Sequence, residues 1–127
     1  MVDIMEQSLV NYDALQERVS TLLNKRLELQ YLVFTLMIRA YSSGYEGFSN
    51  YFLNECEVIE KDNHWMTKEI VDNNKAVDFK DIPSIPLRGN KLVDLLSLYI
   101  DGLNKVQAVE KEMMEFVASK VEFRIVM

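Results

Sequence analysis

The amino-acid sequence predicts an all-α protein, and three observations support that fold class. Only 4 Gly and 2 Pro occur among 127 residues, and both residue types interrupt helices. Leu, Met, Glu and Lys, which favour helices, are frequent. Apolar residues recur every three or four positions, as in amphipathic helices. With 49% hydrophobic and 27% charged residues, the chain has the composition of one globular domain, residues 1–127.

The first helix is predicted from about Asp13 to Tyr41. Asp13 and Gln16 have the spacing of a capping box, which marks a helix start. Turn-forming residues at 42–44 follow, so we expect the chain to reverse there. The apolar residues of this helix recur at steps of three, four and seven: Leu15, Val19, Leu22, Leu29, Val33, Leu36 and Ala40.

A second helix is predicted from about Glu46 to Asn74, antiparallel to the first because the turn between them is short. It has its own apolar stripe: Phe48, Phe52, Ile59, Met66 and Ile70. Such a stripe needs a neighbouring helix to cover it. The two helices are therefore expected to pack as a hairpin.

The connection from Lys75 to Asn90 is predicted to be non-helical, because Pro83 and Pro86 both block a helix. Helices in a compact bundle need only about 2 to 8 residues to turn back. Some fifteen extended residues reach roughly 50 Å, and the second helix would be roughly 42 Å long. The connection can therefore cross the whole bundle and start the third helix parallel to the second.

The third helix is predicted from Asn90 or Lys91 to about Lys120, and the residues after it are too few for a matching fourth helix. Its stripe contains Leu92, Leu95, Leu96, Tyr99, Leu103, Val106, Val109 and Met113. Three amphipathic helices leave one groove open, and exposed apolar surface favours association. We therefore predict a homo-oligomer, at least a dimer, whose helices complete each other's bundles.

Composition excludes several partners and locations. A net charge of -6 disfavours generic binding to nucleic acid or to an anionic membrane and favours metal ions or basic partners. The single cysteine, Cys56, excludes an intrachain disulfide. The N-terminus lacks the basic and apolar pattern of a secretory leader, and the longest apolar run is too short to span a bilayer. We expect a cytoplasmic protein.

One carboxylate interrupts an apolar stretch of the first helix. Glu28 lies at the start of residues 27–38, where apolar side chains point nearly all round the helix, as in a segment buried on more than one side. Burying an unpaired charge costs several kcal/mol. Glu28 is therefore expected to be protonated, paired with a cation or bound to a metal.

Three segments, in order along the chain, resemble the ferritin family. Residues 24–29 contain Asn24 and a Leu-Glu-Leu triplet, and they resemble the first ferritin helix. Residues 47–52, Gly-Phe-Ser-Asn-Tyr-Phe, resemble the start of the second, and residues 81–83, Asp-Ile-Pro, resemble the end of the crossover. The likeness covers most of residues 11–90. It implies a ferritin-like helical bundle with a single long crossover, degenerate and lacking the fourth helix.

The resemblance also implies iron, held by carboxylates on facing helices, and assembly into a cage. Glu28 matches the first ferritin ligand, Asp62 falls where ferritins carry a His, Asp101 is the counterpart on the third helix, and Glu55 is a supporting acid. Ile59 falls where ferritins have a bridging Glu, and Ile59 cannot bridge two irons. The implied function is iron binding or storage at a degenerate diiron site, with slow ferroxidase activity or none.

Two alternatives remain open. The carboxylates would be structural if they lay at the edge of the core, paired with Lys25, Arg26 or Arg39. The protein would then be a non-catalytic assembly or protein-interaction module that keeps the ferritin-like fold. A third hypothesis is an acidic helical adaptor or inhibitor unrelated to ferritins, and parallel second and third helices would argue against it.

Overall fold

A computed structural model of the chain describes residues 2–73, 77–85, 87 and 89–126, with the side chains of those between 14 and 119. Within these residues the chain forms three helices, α1 (Val2–Ser42), α2 (Glu46–Asp72) and α3 (Leu92–Val126), and no strand. The all-α prediction is thereby confirmed for the described part of the chain. No described helix contains a stretch that is both long and apolar enough to cross a lipid bilayer.

Two predicted helix boundaries were wrong. α1 begins at Val2, well before the predicted start at Asp13, because residues 2–12 contain neither Gly nor Pro to stop a helix. α3 likewise continues past the predicted end at Lys120 to Val126, again through residues that do not break a helix. α2 ends at Asp72, and the predicted last residue, Asn74, lies outside the described residues.

The turn between α1 and α2 closes the first helix with a standard C-terminal motif. The N–H of Tyr45 donates to the carbonyl of Ala40 (2.8 Å) and the N–H of Gly44 to that of Tyr41 (3.1 Å), the two hydrogen bonds of a Schellman motif. Gly44 has φ +86°, a left-handed conformation that favours glycine. The predicted reversal at residues 42–44 is therefore present.

α2 packs against α1 in the antiparallel direction. The Ser49 hydroxyl donates to the Met37 carbonyl (3.0 Å), and the Asn63 side-chain amide donates to the Arg26 carbonyl (3.1 Å). Moving forward along α2 thus means moving backward along α1. The hairpin predicted from the short turn is what forms.

α3 packs on α1 as well, and also runs antiparallel to it. Asn90, just before α3, bonds Arg39 (2.9 Å), whereas Glu110 contacts Arg26 (3.4 Å). α2 and α3 are therefore parallel, as the length of the connection predicts. No Cα of α2 lies within 8 Å of a Cα of α3 in the described residues, so α1 is the central helix and packs against both of the others.

α1 supplies most of the hydrophobic core. Its buried residues meet Phe52 of α2 and Leu95 of α3, which are both fully buried. Gly102 allows α3 to come close, because a Cβ there would lie 2.5 Å from Cδ2 of Leu32. The core residues contributed by α1 are Leu22, Leu29, Leu32, Val33, Leu36 and Ala40.

The connection between α2 and α3 is attached to α1 at two points. The Asn24 side chain donates to the Asp78 carbonyl (2.8 Å) and accepts from the Lys80 N–H (2.8 Å). Near the other end, Arg39 donates to the side chain of Asn90 (2.9 Å). Asn24 and Arg39 are separated by about 22 Å along a helix with a rise of 1.5 Å per residue. The connection is thus held along the length of the bundle.

Asn24→Ala is expected to loosen this attachment, because the variant loses both hydrogen bonds to the backbone of the connection. The free energy of unfolding should fall by about 1 kcal/mol, and the Lys80 amide should exchange with solvent faster. Urea denaturation and hydrogen exchange measure the two effects. Thr21→Ala is the control, since Thr21 bonds only within α1. Unchanged exchange at Lys80 would contradict the expectation.

Candidate functional site

The four carboxylates predicted as metal ligands lie in two places. Glu28 and Asp101 line one cavity between α1, α3 and the connection. Glu55 and Asp62 lie on α2, and neither lines that cavity. Among the described residues, no three His, Cys, Asp or Glu side chains are grouped so that they could hold a metal ion. The iron site therefore stays a prediction.

Two of these carboxylates are paired with the cations that the structural alternative names. Lys25 Nζ lies 3.4 Å from Glu28 Oε2, and Arg26 Nη2 lies 3.5 Å from Asp62 Oδ2. The Glu28 side chain is 28% exposed, so it lies at the edge of the core. Pairing with a neighbouring cation is thus the outcome that the structure shows for Glu28.

Arg26 is the centre of a polar network that joins all three helices. Its Nε donates to Asn63 Oδ1 (2.9 Å), and its two Nη atoms contact Glu110 Oε1 (3.4 Å) and Asp62 Oδ2 (3.5 Å). The Arg26 side chain is only 19% exposed. A guanidinium with this many partners acts as a fixed cation, which offsets the repulsion between carboxylates of α2 and α3.

Asn63 completes the network inside the core. It is 2% exposed, and its side-chain amide donates to Gln30 Oε1 (3.0 Å) and to the Arg26 carbonyl (3.1 Å). Every polar group of this side chain is thus satisfied, as burial requires. The sequence places Asn63 on the apolar stripe of α2, four residues after Ile59. That position indicated a buried polar residue, but nothing in the sequence identified its partners.

Glu55 takes part in an aromatic cluster between α2 and α3. The Tyr99 hydroxyl donates to Glu55 Oε2 (3.2 Å), and the Tyr99 ring meets those of Phe52 and Tyr51 edge to face, at centroid distances of 5.5 and 6.3 Å. Burial raises the pKa of Tyr99 well above its ordinary value, and a hydrogen bond with Tyr51 and the charge of Glu55 add to the effect. Tyr99 therefore stays protonated as a donor to Glu55.

The raised pKa of Tyr99 predicts a loss of stability at alkaline pH. An unfolded tyrosine titrates near pH 10, whereas the folded protein holds the proton to higher pH. The contribution of Tyr99 to the free energy of unfolding is complete below about pH 10. It is lost as pH rises through the pKa that Tyr99 has in the folded protein. Urea unfolding from pH 8 to 11.5 should show a steeper decline for the native chain than for Tyr99→Phe. Identical slopes for the native chain and for Tyr99→Phe would contradict this.

One face of α2 carries both large apolar and acidic side chains. Tyr51, on this face, contacts Tyr99 of α3. The residues of this face follow a spacing of four and three, which is the spacing by which one helix packs along another. Apolar and acidic residues alternate along it, all exposed except the half-buried Glu55: Tyr51, Glu55, Val58, Asp62, Trp65 and Glu69.

A second uncovered surface lies on α1 and consists of large apolar side chains only. Tyr31, Phe34, Ile38 and Tyr41 are 46%, 47%, 51% and 69% exposed. Their spacing of three, four and three places them on one face of the helix, which we name the α1 stripe. Residues 27–38 are buried on the sides that face α2 and α3, as expected, but no described element covers this further face.

Comparisons with known proteins add no relative. No family model, no curated protein and no solved structure matches this chain. The ferritin resemblance therefore stays a prediction that rests on three sequence motifs. The proposed function therefore rests on how the helices pack and on the surfaces that they leave uncovered.

Proposed function

We propose that this chain is a non-catalytic assembly module, related in fold to ferritins, that forms at least a dimer through the α1 stripe. The observation that carries the proposal is the stripe itself. Single exposed apolar residues are common on monomeric proteins, but four large ones on one helix face form a contiguous patch, which marks an interaction surface. Leu53 of α2 is also exposed, and it lies between Ser49 and Cys56, which bond Met37 and Gln30 of α1.

The chemistry of the stripe favours a second copy of the same chain as the partner. Two α1 stripes related by a two-fold axis bring apolar side chains against apolar side chains, so one surface serves both copies. The exposed face of α2 cannot pair with itself in this way, because Glu55, Asp62 and Glu69 would meet their own counterparts and repel.

The Arg26 network supports the non-catalytic part of the proposal. A metal held between the carboxylates of α2 and α3 would lie next to the Arg26 guanidinium, and two nearby positive charges repel. The guanidinium already supplies the charge that Asp62 and Glu110 require. A built-in cation thus takes the place that a metal ion would have between these helices.

The order of the helices supports a ferritin-like fold over an unrelated adaptor. The antiparallel pair α1 and α2, followed by a long connection to a parallel α3, is the connectivity of bundles with one long crossover. The position beside α2 and α3 and opposite α1 is where a fourth helix completes such a bundle. In the described residues of this chain, no fourth helix is present to occupy that position.

Iron binding is the second candidate, because Glu28 and Asp101 share one cavity. Native mass spectrometry of the chain, loaded anaerobically with ferrous iron and then exposed to air, measures copy number and bound metal together. If the chain assembles as proposed, we expect two or more copies of the 14.8 kDa chain without added iron. A single chain carrying iron that is lost in Glu28→Ala would contradict the assembly proposal and support the iron site.

A further inference from the structure

A cavity of about 510 Å³ lies between α1, α3 and the connection. Cavities of roughly 300 to 1,000 Å³ are typical of sites for small molecules. Apolar side chains from all three elements line part of the cavity, which we name its floor: Leu29, Leu32, Leu98, Ile82 and Ile85. Charged side chains stand around it: Lys25, Glu28, Asp94, Asp101 and Lys105. An apolar floor with charged groups around it suits an amphipathic ligand.

The walls of the cavity are held in place by contacts already described. Gly102 lets α3 approach Leu29 and Leu32 closely. The connection forms the third wall and is tied to α1 through Asn24 and, at its other end, through Asn90. Ile85 also packs against the hydrophobic core. The cavity is therefore a feature of the packed fold.

The charged groups leave an excess of negative charge. Lys25 and Glu28 pair at 3.4 Å, so they largely neutralise each other. Asp94, Asp101 and Lys105 remain, and none of the ion pairs found among the described residues involves any of these three. Two carboxylates against one ammonium favour a ligand with positive charge, because an anion would meet a net repulsion.

We propose that this cavity binds a small organic amine in its ammonium form. The aliphatic or aromatic body of the ligand lies on the leucine and isoleucine floor, where it leaves water. Its ammonium group donates charge-assisted hydrogen bonds to Asp101, while Asp94, two turns earlier on α3, adds to the negative charge of the cavity. A bare metal ion would leave the apolar floor unused, so the floor favours an organic cation. The proposal is independent of assembly, since none of the four α1 stripe residues lines the cavity.

Titration of the full chain with hexylamine, 1-hexanol and hexanoate tests the proposal, with amide NMR shifts as the measurement. Saturable binding of hexylamine is expected, with shifts in residues 94–105 and at Ile82, and affinity at least about tenfold higher than for the other two compounds. Equal affinity for hexanol and hexylamine would overturn the ammonium assignment. Tighter binding of magnesium or ferrous ions alone, in place of hexylamine, would overturn it in favour of a metal site.

Two variants locate the site. Asp101→Asn is expected to weaken hexylamine binding about tenfold, whereas Glu115→Gln, an exposed carboxylate elsewhere on α3, should leave it unchanged. Ser97→Phe introduces bulk at an exposed position that lines the cavity and should abolish binding while α3 stays folded. Equal effects of Asp101→Asn and Glu115→Gln would mean general charge attraction and would overturn the proposal, as would unchanged binding in Ser97→Phe.

Discussion

Replacing Asn63 with leucine is expected to lower the free energy of unfolding by about 3 kcal/mol. Asn63 is almost fully buried, and leucine of similar size can donate or accept no hydrogen bond. Arg26 Nε and Gln30 Oε1 then lose their partner. Burying unsatisfied polar groups costs more than the hydrogen bonds themselves contributed. Urea denaturation followed by circular dichroism measures the change.

A double-mutant cycle separates this network from ordinary packing. Arg26→Met removes the charge while keeping an apolar stem, and the double variant with Asn63→Leu removes both partners. The double variant should lose less stability than the two single variants together, because replacing both partners leaves fewer unpaired groups. Thr67→Val is the matched control on α2, since its hydroxyl bonds only the Asn63 carbonyl within the helix. Strict additivity would contradict a coupled Arg26 network.

Phe34→Glu combined with Ile38→Glu is expected to convert the assembly into single chains. Both side chains are about half exposed in one copy, so the carboxylates stay hydrated and the fold is retained. In an assembly they would be buried against an apolar surface, which is costly for an unpaired charge. Sedimentation velocity measures the change in mass, and circular dichroism verifies the helix content.

A matched pair of substitutions controls for the added charge. Val93→Glu and Met114→Glu replace exposed apolar residues of α3, away from the α1 stripe. The variant that combines both substitutions carries the same added charge as the stripe variant. It should keep the native mass if the α1 stripe alone mediates the dimer. Dissociation of this control would indicate that net charge, rather than the stripe, governs association.

The helices and their directions were predictable because their causes are local. Apolar residues at steps of three and four specify helices, and the length of the connection indicates that α3 runs parallel to α2. The ends of α1 and α3 were not predictable in the same way. At Val2 and Val126 no residue forbids the helix, so sequence pattern alone gives no boundary.

The candidate site was predictable only in part, because side-chain partners depend on the faces that pack together. The sequence identifies Glu28 as a carboxylate in apolar surroundings, but its partner Lys25 became evident from the structure. Periodicity shows that Tyr31, Phe34 and Ile38 share a face, yet it cannot show that this face is uncovered. Likewise, the coupling of Arg26 to Asn63 and Glu110 requires three helices at defined distances.

Sedimentation equilibrium of the unmodified full chain, at several micromolar concentrations, tests the assembly proposal most directly. We expect a mass of at least twice the 14.8 kDa of one chain, because the α1 stripe removes its apolar surface from water only by association. The mass of a single chain at every concentration would contradict the assembly proposal. The α1 stripe would then not bind a second copy of the chain.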